Sequence, residues 1–200
     1  MRTFITSLVL SVAITTQAQT FRQIEPGVYL LAAGQEDTHT PLRYKEPVAK
    51  QLKDMPATDN PFAKEGIHIE VNARGCVVDI PLAADENIYG FGLQMGSFVQ
   101  NNKKKRPLVN DHPLKDLGYT HAPQPFYISN KGYAVLINTA RYTTFYIGTN
   151  RKNTDYTPSE DSQKAKLSTD ELYRSSAQSG SKPRIQVDIP GAKGISVLVF

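Results

Sequence analysis

ENIYGFGLQMGSFVQ, residues 86–100, decides how the rest of this chain is read. It opens as the end of a buried strand, with Ile88 and Tyr89. Gly90 and Gly92 then bracket Phe91, Gly96 precedes Ser97, and the chain runs straight on into Asn101-Asn102-Lys103-Lys104-Lys105-Arg106. Glycine inside a strand costs backbone entropy and packs nothing. A glycine on each side of one aromatic marks a strand end where the backbone bends and a neighbouring segment comes close. An ordinary bulge in a β-protein is the plainer reading of the same residues.

Outward from this stretch the pattern is that of many short strands. GIHIEVNARGCVVDIPL, residues 66–82, alternates apolar and polar residues on both sides of Asn72-Ala73-Arg74-Gly75, which is a hairpin signal. PFYIS and YAVLIN form a second hairpin pattern around Asn130-Lys131-Gly132. GVYLLA, RPLVN, TTFYIG, RIQVDIP and GISVLVF read as further strands. Residues 38–65 hold several prolines and read as a linker or loop, with a short helix near PVAKQLKDM. Residues 149–183 are polar and nearly core-free, a long surface excursion with one helical turn at TDELYR, capped by Thr169 or Asp170. No helices alternate with the strands. The fold class is therefore all-β, an antiparallel β-sandwich, and neither a doubly wound sheet nor a β/α barrel is encoded here. The final ISVLVF is an apolar strand without a polar cap. Its expected burial by further protein makes the chain read as the N-terminal piece of something longer.

The 200 residues suffice for one domain with a sizeable core. Residues 1–18 read as a secretory signal peptide: Arg2 supplies the charge, residues 4–14 the apolar run, and Thr16 and Ala18 the small residues before cleavage. The mature chain, residues 19–200, is expected in the periplasm or the medium, and nothing later is long and apolar enough for a membrane span. Cys76 is the only cysteine, so no intrachain disulfide forms, and a buried thiol acting as a small hydrophobe is its default role. Much of the net charge of +4 sits in Lys103-Lys104-Lys105-Arg106. No aromatic interleaves that run, which argues against nucleic acid and for a solvated hairpin tip.

VNDHP, residues 109–113, is the candidate functional loop. Asn110 and Asp111 are short polar side chains suited to sugar hydroxyls, and a carboxylate accepts such bonds with charge assistance. The competing reading is an Asx-turn that closes a strand before Pro113. His112 and His121, with Asp111 and Asp116, match no strong metal-ligand spacing. Tyr119, Tyr127, Tyr133, Tyr142 and Tyr146 divide between sugar stacking and the core. Arg141 is placed to bond a carboxylate or a sugar.

Several of these pieces occur in one order: Tyr89-Gly90-Phe91-Gly92, then Val109-Asn110-Asp111, then Pro125-Phe126-Tyr127-Ile128-Ser129, then residues 132–138, GYAVLIN. In that order and spacing, the chain resembles the N-terminal β-sandwich domain of glycoside hydrolase family 31, the α-glucosidases, α-xylosidases and their relatives. Leu93 stands where the family commonly has Glu, and Ala134 where it often has Gly. The resemblance implies a galactose-mutarotase-like sandwich that braces a catalytic (β/α)8 barrel and lends a loop to its sugar pocket. It implies carbohydrate and that barrel as partners, with no metal or organic cofactor. It implies that Asp111 helps line the sugar site. The family's two catalytic aspartates lie on the barrel, so no residue of this chain is assigned as nucleophile or acid. Two other readings remain: a free-standing carbohydrate-binding module, and a mutarotase with an acid/base pair across an open groove.

Overall fold

The computed structural model describes residues 21–44, 59–63, 66–94, 96–109, 120–149 and 183–200. The expected signal peptide and the helical turns expected near residues 47–55 and 169–174 lie outside these residues.

Two antiparallel sheets face each other. One holds six strands in the order β1 (Arg22–Glu25), β2 (Val28–Gly34), β11 (Gly194–Val199), β8 (Tyr133–Ile137), β7 (Phe126–Ser129) and β5 (Ile88–Gly90). The other holds five: β3 (His68–Asn72), β4 (Gly75–Pro81), β10 (Arg184–Pro190), β9 (Thr144–Ile147) and β6 (Lys103–Lys105). A single turn of helix, α1 (Pro41–Tyr44), is the one helix among the described residues. The all-β, antiparallel sandwich reading holds.

Alternation builds the core. Val135, Ile137, Val197 and Val199 from the six-stranded sheet join Val78, Ile80, Phe145, Ile147, Ile185 and Val187 from the other in one buried cluster. Both expected hairpins form. Asn72 pairs with Gly75, and the Asn72 side-chain oxygen accepts a bond from the Arg74 amide at 2.9 Å, closing the turn locally.

Three expectations are corrected. β11 is no exposed edge: it lies between β2 and β8, and all six of its residues are buried. A run apolar on both faces suits a central strand, so its own chain accounts for the apolarity of ISVLVF. Asn138 ties the outer side of this region together, donating to Ser196 Oγ at 2.9 Å and accepting from the Leu42 amide of α1 at 3.2 Å.

Of RPLVN, residues 106–109 form no strand, because Pro107 has no N–H to give a ladder; Val109 makes only an isolated bridge, and the strand comes earlier, as β6. The lysine run is therefore no solvated tip. It is an edge strand paired with β9. Its alternation sends Lys104 outward, 5.2 Å from the centre of the Tyr146 ring, and Lys105 inward opposite Phe145, where it is 1% exposed.

Candidate functional site

The glycine-aromatic-glycine stretch is a junction. β5 ends at Gly90, and Phe91 follows with φ 64°, a left-handed conformation costly for a bulky residue. Its surroundings hold it there. The Phe91 amide donates to the Phe126 carbonyl at 2.8 Å, and its ring packs 4.7 Å from Phe145 and 5.8 Å from Tyr127, centre to centre. Gly92 has φ 95°, and a Cβ there would lie 2.4 Å from the Ala122 oxygen and 2.8 Å from the His121 oxygen. The second glycine thus lets residues 120–122 press against the strand end.

That close approach forms a neck. Leu93 and His121 exchange two backbone bonds, of 2.9 and 3.3 Å. The Thr120 amide donates to the Leu108 carbonyl at 2.9 Å, and Val109 bridges Thr120 in parallel. The buried Thr120 hydroxyl donates toward the Leu93 carbonyl at 2.7 Å and lies 2.9 Å from that of His121. Residues 109 and 120, which bound the stretch that begins with the candidate loop, are therefore pinned side by side next to the end of β5. Asn110, Asp111, His112, Asp116 and Tyr119 lie between them, outside the described residues.

The buried Lys105 reaches the same junction. Its ammonium donates to Gln94 Oε1 at 3.0 Å, and Gln94 Nε2 donates to the Phe91 carbonyl at 3.3 Å. Hydropathy alone does not reveal this lysine; the inward direction follows from its pairing with Phe145.

Beside the junction is a second polar centre that the sequence did not disclose. Glu86 is 4% exposed, and its carboxylate accepts from the Ser129 hydroxyl at 2.5 Å, from the Tyr133 hydroxyl, and from the Ala83 amide at 2.9 Å. Burial, reinforced by the bond to Glu86, pushes the Tyr133 phenol well above its ordinary range. Tyr133 and Glu86 also line an open recess of about 690 Å³ with Phe62, Leu82 and Arg184. Phe62 meets the Tyr133 ring edge-on at 5.0 Å.

The other candidates fall to structural roles. Cys76 is buried, its thiol is pushed up by burial, and its sulfur lies 3.6 Å from the Ala192 carbonyl. Arg141 grips the Asp37 carboxylate with two bonds, of 2.5 and 2.8 Å. Tyr127, Tyr133 and Tyr146 are buried, whereas Tyr142 is 73% exposed. His121 is a backbone partner of Leu93. Among the described residues, no three His, Cys, Asp or Glu side chains gather as metal ligands, and no helix is long and apolar enough to cross a membrane.

The profile of the glycosyl hydrolase 31 N-terminal galactose mutarotase-like domain matches residues 19–145. No curated protein sequence matches the chain significantly. Among solved structures, the chain is similar to a family 31 dextranase from Flavobacterium johnsoniae in complex with glucose. That likeness has 15% identity and a TM-score of 0.44, over 91% of this chain and 18% of the dextranase. It is also similar to a cycloalternan-forming enzyme from Listeria monocytogenes in complex with a pentasaccharide substrate, with 11% identity and a TM-score of 0.48 over 91% of this chain and 18% of the other. A family 31 sulfoquinovosidase from E. rectale gives 13% identity and a TM-score of 0.33, over 66% of this chain and 20% of that one. The chain thus spans no more than 20% of the length of each. The profile covers well over half of the chain, and the protein belongs to the family of glycosyl hydrolase 31 N-terminal galactose mutarotase-like domains.

Proposed function

We propose that this chain is the non-catalytic N-terminal domain of an exported, retaining α-glycosidase of family 31. It braces the catalytic barrel and presents residues 110–119 at the mouth of the sugar pocket, where Asn110 and Asp111 bond substrate hydroxyls. The observation that supports this reading is the neck. A strand end shaped by Gly90 and Gly92 holds Val109 and Thr120 together, so both ends of the intervening segment have a braced base. Asp111 would accept hydroxyl bonds with charge assistance. The covalent chemistry would belong to two barrel carboxylates, which in retaining enzymes stand roughly 5–5.5 Å apart. The reading of export rests on the leader pattern of residues 1–18.

The test is a pair of substitutions in the full-length enzyme. Losing a charge-assisted bond costs about 1.5–3 kcal/mol, so Asp111→Ala should lower kcat/KM by roughly ten- to a hundred-and-fifty-fold with the fold intact. Asp111→Asn keeps an Asx-turn but loses the charge. Unchanged kinetics in both variants, with a lower Tm only in Asp111→Ala, would eliminate the pocket role. The fragment 19–200 should not turn over aryl α-glycosides, and the mature protein should begin near Gln19.

A further inference from the structure

We infer that Lys105 and Gln94 are positioning residues that fix the geometry of the neck, and through it the seating of its two ends, Val109 and Thr120. Three observations meet at this point. The first is strain: Phe91 precedes Gly92, Ala122 presses its carbonyl against Gly92, and both are non-glycine residues at positive φ, 64° and 47°. Such conformations persist only where the surroundings over-determine them. The second is the Lys105 ammonium, which is carried into the core by β6 and donates there to the Gln94 side-chain oxygen at 3.0 Å. Desolvating a cation is costly, so a lysine in this position has a specific polar task. The third is Gln94 itself. Its amide nitrogen returns to the Phe91 carbonyl at 3.3 Å, closing the turn 91–94 from the side-chain end.

The residue between these contacts is Leu93, whose two backbone bonds to His121 make the neck. Gln94 is clamped on one side by Lys105 and on the other by Phe91. It therefore fixes the direction in which Leu93 presents its amide and carbonyl. Without Lys105, Gln94 is free to turn into water, because it is only half-buried. The turn then has one tie fewer against its own strain. The consequence for catalysis rests on the reading that residues 110–119 line the sugar pocket; the consequence for the neck does not.

The test separates the two. Lys105→Met keeps the aliphatic stem and removes the ammonium. Gln94→Ala breaks the same link at a half-buried position and covers the case in which Lys105→Met does not fold. In the full-length enzyme, amide hydrogen exchange at Leu93 and His121 should accelerate by about tenfold or more in either variant, while amides of β4 and β10 exchange as in the parent. Unchanged exchange at Leu93 and His121, or an equal acceleration throughout the domain, would overturn the inference. A rise in KM that exceeds the fall in kcat should accompany the exchange change where the loop binds substrate. Selective exchange with unaltered kinetics would uphold the positioning role and sink the pocket reading instead.

Discussion

Gly92 lies so close to Ala122 that a Cβ built on the glycine would stand 2.4 Å from the Ala122 carbonyl oxygen. The obstacle is backbone, so it does not swing aside. Gly92→Ala should therefore destabilise by about 2–4 kcal/mol, through positive φ and steric conflict together. Gly132→Ala is the control, because Gly132 has φ 85° but nothing within 4 Å of a Cβ. It should cost only the conformational part, about 1–2 kcal/mol. Equal losses in urea unfolding would show that the approach of residues 120–122 is not what requires Gly92.

The difference between Gly92 and Gly132 also shows how far the sequence can be read. Both hairpins were legible, because alternation and turn residues are local signals. That Gly92 meets residues 120–122 was legible only as a need for space, since the contact partner is set by tertiary pairing. Lys105 was misread for the same reason: a lysine on the inner face looks like any other lysine until its register with Phe145 is known. β11 was recognisable as a strand but not as a central one, because its partners β2 and β8 are far away in the chain. The Glu86 centre collects donors from residues 83, 129 and 133, so no short motif announces it. The pocket role of Asp111 rested on family resemblance, and the described residues reach only to Val109 and Thr120 on either side of it.

Glu86 should be a stability residue. Glu86→Gln leaves one oxygen for the Ser129 and Tyr133 hydroxyls but turns an N–H₂ toward the Ala83 amide, or the reverse. The first orientation sets donor against donor, and the second makes both hydroxyls turn from donating to accepting; the expected cost is about 1–3 kcal/mol. Tyr133→Phe removes one donor to the same carboxylate. The two changes should not add, with a coupling of at least about 0.5 kcal/mol in a double-mutant cycle. Strict additivity in chemical denaturation would mean that the buried carboxylate and the phenol do not act as a unit.

The Asp37–Arg141 pair gives a pH signature. The bond from Arg141 holds the Asp37 carboxyl below its ordinary value. A carboxylate with a depressed folded-state pKa contributes stability above its unfolded pKa of about 3.9, and that contribution is lost as pH falls through the folded value. Asp37→Asn should therefore lower Tm at pH 7, with the gap to the parent narrowing steadily below about pH 4. The pair is partly exposed, so the gap should be small and should shrink with added salt. A gap that widens in acid would reverse the sign and refute the assignment.

Phe91 combines two opposing effects, and they can be separated. Its ring is 1% exposed and packs on Phe145 and Tyr127, while its backbone sits at φ 64°. Phe91→Ala loses the ring and keeps the strain, for a cost of about 3–5 kcal/mol. Phe91→Gly loses the same ring but adopts positive φ without the Cβ penalty, which is worth about 1–2 kcal/mol. At most buried strand positions glycine is worse than alanine by roughly 0.5–1 kcal/mol. Here the order should invert, with Phe91→Gly the more stable of the two by about 1 kcal/mol. The physical account is that this position is glycine-like in backbone and aromatic in side chain, the packing of one large ring outweighing the strain of a positive φ between Gly90 and Gly92. Urea midpoints of the two variants, measured at equal m-values, decide the matter. An alanine variant as stable as the glycine variant, or more so, would show that the left-handed backbone at Phe91 carries no strain.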